Sequence, residues 1–410
     1  MRERAVIPAR RIRLVVLTSV AAVLLATGWL PGARADVPFP DDDPFYAAPA
    51  DLAARPPGTV LGTRPISLLG LSVPVSAWQL RYRTTDSANR PTLNVTTVVV
   101  PPQPAAGPRP LLAYQIPEDS FGTRCAPSYA LRGGRDPGVV NTLIDLPFLA
   151  ETLRRGWAVV LSDFEGPGSR FFDGVNAAHG VLDGVRAARS FAPAGVTAAS
   201  PVGAYGYSGA AFATLWAAQL RKEYAPEVVF AGVTAGGVPA DIAGMARSVD
   251  GGQLSGLALL TLLALARDYP DSGLTELLND RGRAAAAESA GACGSEFVPK
   301  YAGTRLDEFT RAPNILDSTA FRAAVARAEL GARVPDAPLY LYHSRTDDRI
   351  PVAGFSALVD RYCAGGATLT AVHSPFPTHN GGALGEFLGG MDYLSDRFAG
   401  RPLAPGCHIR

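Results

Sequence analysis

The sequence predicts an α/β fold, with a mostly parallel central sheet, helices on both faces and an inserted group of helices. Three observations carry this expectation. Short apolar runs alternate with helix-length segments from Leu111 onward, and a strand–turn–helix unit with a serine at its apex lies mid-chain. From about Pro239 to Leu330 the alternation gives way to helical patterning alone.

The central unit is Val202 to Leu220, VGAYGYSGAAFATLWAAQL. A small apolar strand runs into Gly206-Tyr207-Ser208-Gly209-Ala210 and then into an Ala-rich helix. A sharp strand-to-helix turn needs small residues two positions either side of its apex. Gly206 fills the first position, and Ala210 fills the second, where glycine is commoner. This pattern matches a nucleophile elbow, which would lift the Ser208 hydroxyl above the sheet and leave the Gly209 N–H free to stabilise an oxyanion. The blander reading is a tight turn with a capping serine. The serine reading requires an acid and a histidine later in the chain, in that order.

The chain has 410 residues, 47% hydrophobic and 18% charged, with formal net charge +1. That supports one large core or two modest ones. It offers no electrostatic footprint for nucleic acid or an anionic membrane surface, so nucleic-acid binding is not expected. Arg2, Arg4, Arg10, Arg11 and Arg13 precede an apolar run from Leu14 to Trp29, followed by Ala33-Arg34-Ala35. This is the layout of a cleavable signal peptide over residues 1–35, so secretion is expected, with a mature chain starting near Asp36. The apolar run is shorter than the ~20 residues of a spanning helix, and no later segment is long and charge-free enough to span. The Arg10-Arg11 pair allows a twin-arginine export route, and no cysteine follows the apolar run to carry a lipid anchor.

Cys125, Cys293, Cys363 and Cys407 read as two disulfides in an exported chain, and spacing alone leaves three pairings open. No C-x-x-C pair occurs and there are five histidines, so neither metal nor cofactor is expected.

In order, residues 36–65 read as an exposed arm rich in Pro, Asp and Ala. Trp78, Leu80 and Tyr82 alternate with Gln79, Arg81 and Arg83, giving a half-buried strand. Asp86 to Pro91 form a turn and Leu93 to Val100 a second strand, so a hairpin opens the fold. Leu111 to Tyr114, Trp157 to Ser162 and Val228 to Ala235 read as buried strands, and Leu143 to Arg155 and Gly174 to Ala192 as helices. Helical patterns follow at 241–249, 254–267, 274–287 and 318–330, the second apolar nearly all round. They suggest a cap that lines and gates an apolar pocket. Strand and helix then resume at 339–343, 351–363, 368–372 and 385–398. The expected organisation is a core over 36–238 and 331–410, interrupted by a cap over 239–330. Ligands in such sheets bind beyond the carboxyl ends of the strands, where Asp119, the 163–169 loop and Ser208 fall.

The loop His343-Ser344-Arg345-Thr346-Asp347-Asp348-Arg349-Ile350-Pro351 follows a buried strand. Its register selects Asp347 as the acid that orients a histidine, with Asp348 the runner-up as a helix-terminal charge. His408 lies at the tail, His179 within a helix, and His343 and His373 at strand ends. His379 lies in a loop after the last expected strand, where a general base can face both serine and acid. The order Ser208, Asp347, His379 is the order required, and the layout is that of an α/β-hydrolase.

With these residues assembled, the sequence resembles the secretory lipase family. The likeness runs through Asp43-Pro44-Phe45-Tyr46, Arg83-Thr84-Thr85-Asp86, Tyr114-Gln115 through Asp119-Ser120, Cys125-Ala126-Pro127-Ser128-Tyr129, Asp163 to Ser169, the elbow, Gly236 to Asp241 and Arg397-Phe398-Ala399-Gly400. The resemblance implies carboxylic-ester hydrolysis, typically of triacylglycerols at a lipid–water interface, on an α/β-hydrolase core with a helical cap. It implies an oxyanion hole of Gly209 and Asp119, the latter donating as a protonated carboxyl or through its backbone N–H. It also implies the bridges Cys125–Cys293 and Cys363–Cys407. Short-chain esterase and acyltransferase are the nearest alternatives. A serine peptidase is less well matched, since no acidic pair is evident to hold a peptide amine, and a non-catalytic binding protein is opposed by the intact Ser208, Asp347 and His379.

Overall fold

The computed structural model describes residues 37–68 and 70–410, and the expected signal peptide lies outside the described residues. Ten strands form one sheet in the order β1-β2-β3-β5-β4-β6-β7-β8-β9-β10. They are β1 (Val60–Ile66), β2 (Ser76–Thr85), β3 (Pro91–Val100), β4 (Leu111–Tyr114), β5 (Ala158–Ser162), β6 (Val202–Tyr207), β7 (Phe230–Gly236), β8 (Leu339–Ser344), β9 (Leu369–Ser374) and β10 (Cys407–Ile409). The first three are antiparallel and β3 meets β5 antiparallel, while every pairing from β5 through β4 to β10 is parallel. Strands β4, β5, β6 and β8 are buried along their whole length, as parallel strands covered on both faces must be.

Side-chain alternation divides the core. Val98, Leu111, Ala113 and Val160 face one layer, built from α3 (Gly174–Ser190), α4 (Gly209–Tyr224) and α11 (Val352–Ala364). Val99, Leu112, Tyr114 and Val159 face the other, where Leu146, Leu149 and Leu153 of α2 (Val140–Arg154) meet Phe387, Met391 and Leu394 of α12 (His379–Phe398). The short α1 (Pro127–Leu131) precedes α2. Between β7 and β8 the regular elements are helical: α5 (Ile242–Val249), α6 (Ser255–Asp268), α7 (Leu274–Leu277), α8 (Asp280–Ser289), α9 (Gly294–Lys300) and α10 (Thr319–Ala328), with short 3-10 turns among them. Helix α6 is buried nearly all round, Leu259, Leu260, Leu262, Leu263 and Leu265 included.

Four details differ from the sequence reading. The arm expected over 36–65 ends in β1, an edge strand against β2 whose Gly62 and Pro65 mask its periodicity. Proline is tolerated there because an edge strand bonds on one side only. The helix expected at 274–287 is two, divided where Asn279 caps Gly282 N–H and donates to the carbonyls of Glu308 and Thr310. Helix α9 has no signal in the sequence because Pro299 interrupts its pattern. The last strand is β10, three residues too short to show a period, and parallel to β9.

Both disulfides implied by the family resemblance are present, Cys125–Cys293 and Cys363–Cys407. The second joins the end of α11 to β10 and closes a separation of 44 residues. Replacing Cys363 and Cys407 together by serine should cost about 3–4 kcal/mol of unfolding free energy through the freed unfolded chain. Denaturant unfolding measures the loss, and amide exchange should show β10 losing protection first.

Candidate active site

Ser208 sits between β6 and α4 with φ 59° and ψ −129°, a conformation that a non-glycine residue rarely adopts. Its N–H donates to the Gly236 carbonyl at 2.9 Å. Gly206 is required by space, since a Cβ there would lie 2.3 Å from the Ala210 carbonyl oxygen. As first residue of α4, Gly209 has an N–H with no partner inside the helix. A Cβ on Gly209 would lie 2.2 Å from Asp119 Oδ1, so the bare Cα lets that carboxyl approach the elbow. Asp119 itself has φ 45°, and its carbonyl accepts from Gly294 N–H at 2.9 Å.

The acid lies in the loop after β8, and His379, expected in a loop, is instead the first residue of α12, which Thr378 caps by accepting from Gly381 N–H. His379 Nδ1 lies 2.7 Å from Asp347 Oδ2, while Asp347 Oδ1 accepts from the N–H groups of Arg349 (2.9 Å) and Ile350 (2.8 Å). That geometry sets His379 Nδ1 as donor and leaves Nε2 bare, and Nε2 is buried with no hydrogen-bond partner. Asp348 has a different place: its Oδ1 accepts from the His379 backbone N–H at 2.7 Å. The Tyr207 hydroxyl donates to the His379 carbonyl at 2.5 Å, tying the elbow strand to the start of α12. His379 Cε1 lies 2.9 Å from where a Gly237 Cβ would sit, one residue beyond the carbonyl that holds Ser208. The ring and the serine therefore flank the same turn after β7. His343 is buried, its Nε2 bonded to the Ile350 carbonyl at 2.8 Å; His373 Nε2 lies 3.1 Å from Ser356 Oγ.

Electrostatics differ sharply between the carboxyls. Burial pushes Asp347 upward, but the His379 hydrogen bond and charge, with the Ile350 and Arg349 N–H groups, outweigh it and hold the carboxyl below its ordinary range. Burial dominates at Asp119 and raises it to about 6, against the pull of His379 and Arg349. Beneath it lie further buried acids. Glu165 Oε2 accepts from Ser120 N–H (3.2 Å) and Oγ (2.8 Å), and Glu118 Oε1 accepts from Glu165 N–H (3.2 Å). Asp163 accepts from Ser128 N–H (2.9 Å) and Oγ (2.5 Å). Burial, and for Glu118 and Glu165 the charge of neighbouring carboxyls, holds these groups above the usual carboxylate range.

Ser208, Gly209 and Asp119 open on one cavity of about 230 Å³. Its walls are Met245, Leu254, Leu257, Leu260 and Val298, with Phe171 and Phe172 from the loop after β5. Asn141 and Arg349 also line it, and sequence reasoning gave neither a role. Arg349 lies two residues after Asp347, but nothing in sequence tells whether a guanidinium has a partner. A larger recess of about 360 Å³ lies between residues 40–47 and 163–167 and contains none of Ser208, Asp347 or His379. We place the site at the smaller cavity, because the strained serine lines it. Asp136, Cys293 and Glu296 cluster elsewhere, but Arg124 bridges both acids and Cys293 is disulfide-bonded, so those groups are already engaged.

The raised Asp119 carboxyl has a testable sign. Below pH ~4 it is protonated folded and unfolded; between ~4 and about 6 the unfolded carboxyl ionises while the folded one keeps its proton. The wild type therefore loses this stability as pH rises through about 6. Asp119→Asn cannot titrate, so its melting temperature relative to wild type should climb from pH 4 to pH 7. A difference that stays level would show that Asp119 has an ordinary carboxyl.

The sequence pattern of the family described as secretory lipase matches residues 134–406. A Mycobacterium tuberculosis protein named as a probable inactive lipase is 36% identical over 375 residues, covering 89% of this chain and 84% of its own. Lipase A of Moesziomyces aphidis is 31% identical, with 84% of this chain and 76% of its own covered. Among solved structures, Candida antarctica lipase A in its closed state superposes with TM-score 0.84 at 28% identity, over 91% of this chain and 89% of its own. With an α/β-hydrolase sheet and a family match across most of its length, the chain belongs to the secretory lipase family.

Proposed function

We propose that this protein is a secreted serine carboxylic-ester hydrolase of the triacylglycerol lipase type. The observation that carries the reading is the His379 ring, bonded through Nδ1 to Asp347, with a bare buried Nε2 beside the turn that holds Ser208. In this reading Nε2 takes the Ser208 proton as Oγ attacks the ester carbonyl. Asp347 holds the ring and stabilises the imidazolium. The oxyanion is met by Gly209 N–H and by Asp119, whose raised carboxyl favours the protonated, donating form at acidic pH. His379 returns its proton to the departing alcohol, and water attacks the acyl-serine by the same route. The helices between β7 and β8 act as the cap, and residues 1–35 direct export.

Two other readings each have an observation behind them. A cavity of about 230 Å³ is below the ~300–1,000 Å³ common for ligand pockets, which favours esters of short acyl chains. The Mycobacterium tuberculosis relative's name favours a non-catalytic hydrolase fold. Hydrolysis of p-nitrophenyl esters from acetate to palmitate separates them. The mature protein should turn over at least part of the series, and Ser208→Ala and His379→Ala should each lower kcat by at least ~10⁴-fold, the double variant no further. Asp347→Asn should cost ~10³–10⁴-fold. Failure of every ester, together with no labelling by a fluorophosphonate, would leave the non-catalytic reading standing.

A further inference from the structure

Arg349, on the wall of the cavity that holds Ser208, is close enough to act on the Asp119 carboxyl through its charge but is not bonded to it. Its guanidinium makes no hydrogen bond or ion pair among the described residues, and its Nε is closed off from solvent. Among the described residues Arg135, Arg311 and Arg345 also make no side-chain hydrogen bond or ion pair, but all three are exposed; Arg349 is not. The backbone beneath it is fixed, its N–H on Asp347 Oδ1 at 2.9 Å and its carbonyl accepting from Ser248 Oγ at 3.4 Å. Asp119 is the carboxylate lining the same cavity, yet it lies against Gly209 and forms no ion pair with Arg349. Asn141, on the same wall, makes no side-chain hydrogen bond among the described residues.

A half-buried charge left unpaired costs stability, and proteins ordinarily pair or hydrate it. A guanidinium fork matches the oxygens of a carboxylate or phosphate in two parallel hydrogen bonds. Apart from Asp119, Ser208 and Ser295, the remaining walls are apolar, which suits a hydrocarbon chain. We propose that Arg349, assisted by Asn141, binds an anionic group of the substrate, so that the preferred ester carries a carboxylate or phosphate as well as an aliphatic chain. The anion is a spectator: water still splits the ester into acid and alcohol. The inference rests on the ester-hydrolase reading for its substrate and on the cavity alone for its ligand.

The test has a binding arm and a turnover arm. Ser208→Ala, which cannot turn over, is titrated with octyl phosphate and with octanol. Octyl phosphate should bind about ten-fold tighter or more, and Arg349→Gln in that background should erase the difference. In the turnover arm, kcat/KM is compared for 1-octanoylglycerol 3-phosphate against 1-octanoylglycerol, and for monomethyl suberate against methyl octanoate. The pair whose ratio exceeds about ten tells whether the anion sits on the alcohol or the acyl side; Arg349→Gln should bring that ratio near one and Arg349→Lys should keep part of it. Equal binding of phosphate and alcohol, with both ratios near one in the wild type, would overturn the proposal. So would an Arg349→Gln variant that slows every ester alike and leaves the ratios unchanged. Tight octyl phosphate binding without cleavage of any ester would sink the hydrolase reading and uphold the anion site.

Discussion

The left-handed turn at Ser208 is the constraint on which the rest of the site depends. A residue with a side chain is held at φ 59° only because its surroundings leave no alternative. Buried β6 is bonded on both sides by β4 and β7, and α4 starts immediately afterwards, so the chain must reverse within one residue. Three further features follow from that corner. Gly206 has to be bare for the helix carbonyl to pass, Gly209 has to be bare for Asp119 to approach, and the carbonyl of Gly236 is committed to Ser208 N–H. The position of the His379 ring is fixed from the same neighbourhood, through Tyr207 below and Gly237 beside it.

The loop carrying Asp119 is supported by chemistry unusual for a protein interior. Its scaffold is the buried carboxyls of Glu118, Asp163 and Glu165; each accepts from a backbone N–H, and Asp163 and Glu165 also accept from a serine hydroxyl. A coil segment has no ladder to satisfy its amides, and acceptors must come from side chains instead. Burial holds all three above the usual carboxylate range, which lowers the charge that this scaffold places in the interior. Tyr46 extends the arrangement to the N-terminal arm through Ser128 at 2.8 Å, which gives the family-like Asp-Pro-Phe-Tyr segment a physical reason to be there.

Much of this was legible in the sequence, and the remainder was hidden for definite reasons. The elbow could be read because small residues around a serine have few other uses between a strand and a helix. Asp347 and Asp348 could be ranked by register, but only coordinates show one on the His379 ring and the other on its backbone N–H. Strand β1 was missed because an edge strand tolerates the glycine and proline that elsewhere signal a loop. The break at Asn279 was missed because its side chain is satisfied by residues some thirty positions away. Arg349 shows the deepest limit: that its Nε is buried with no hydrogen-bond partner among the described residues is a property of the whole fold around it.

The segment 291–294 and the Asp119 loop are joined more tightly than two passing loops. Phe121 N–H donates to Ala292 O, Gly291 N–H to Phe121 O and Gly294 N–H to Asp119 O, and the Cys125–Cys293 bond closes the group. This part of the helical insertion and this part of the core are mechanically one piece, although 168 residues separate their cysteines. Replacing the helical segment between β7 and β8 by a relative's would break that piece unless the matching 116–125 loop came with it. What the disulfide and these backbone bonds join is discontinuous in the chain, and it follows the covalent clamp more closely than the order of the helices.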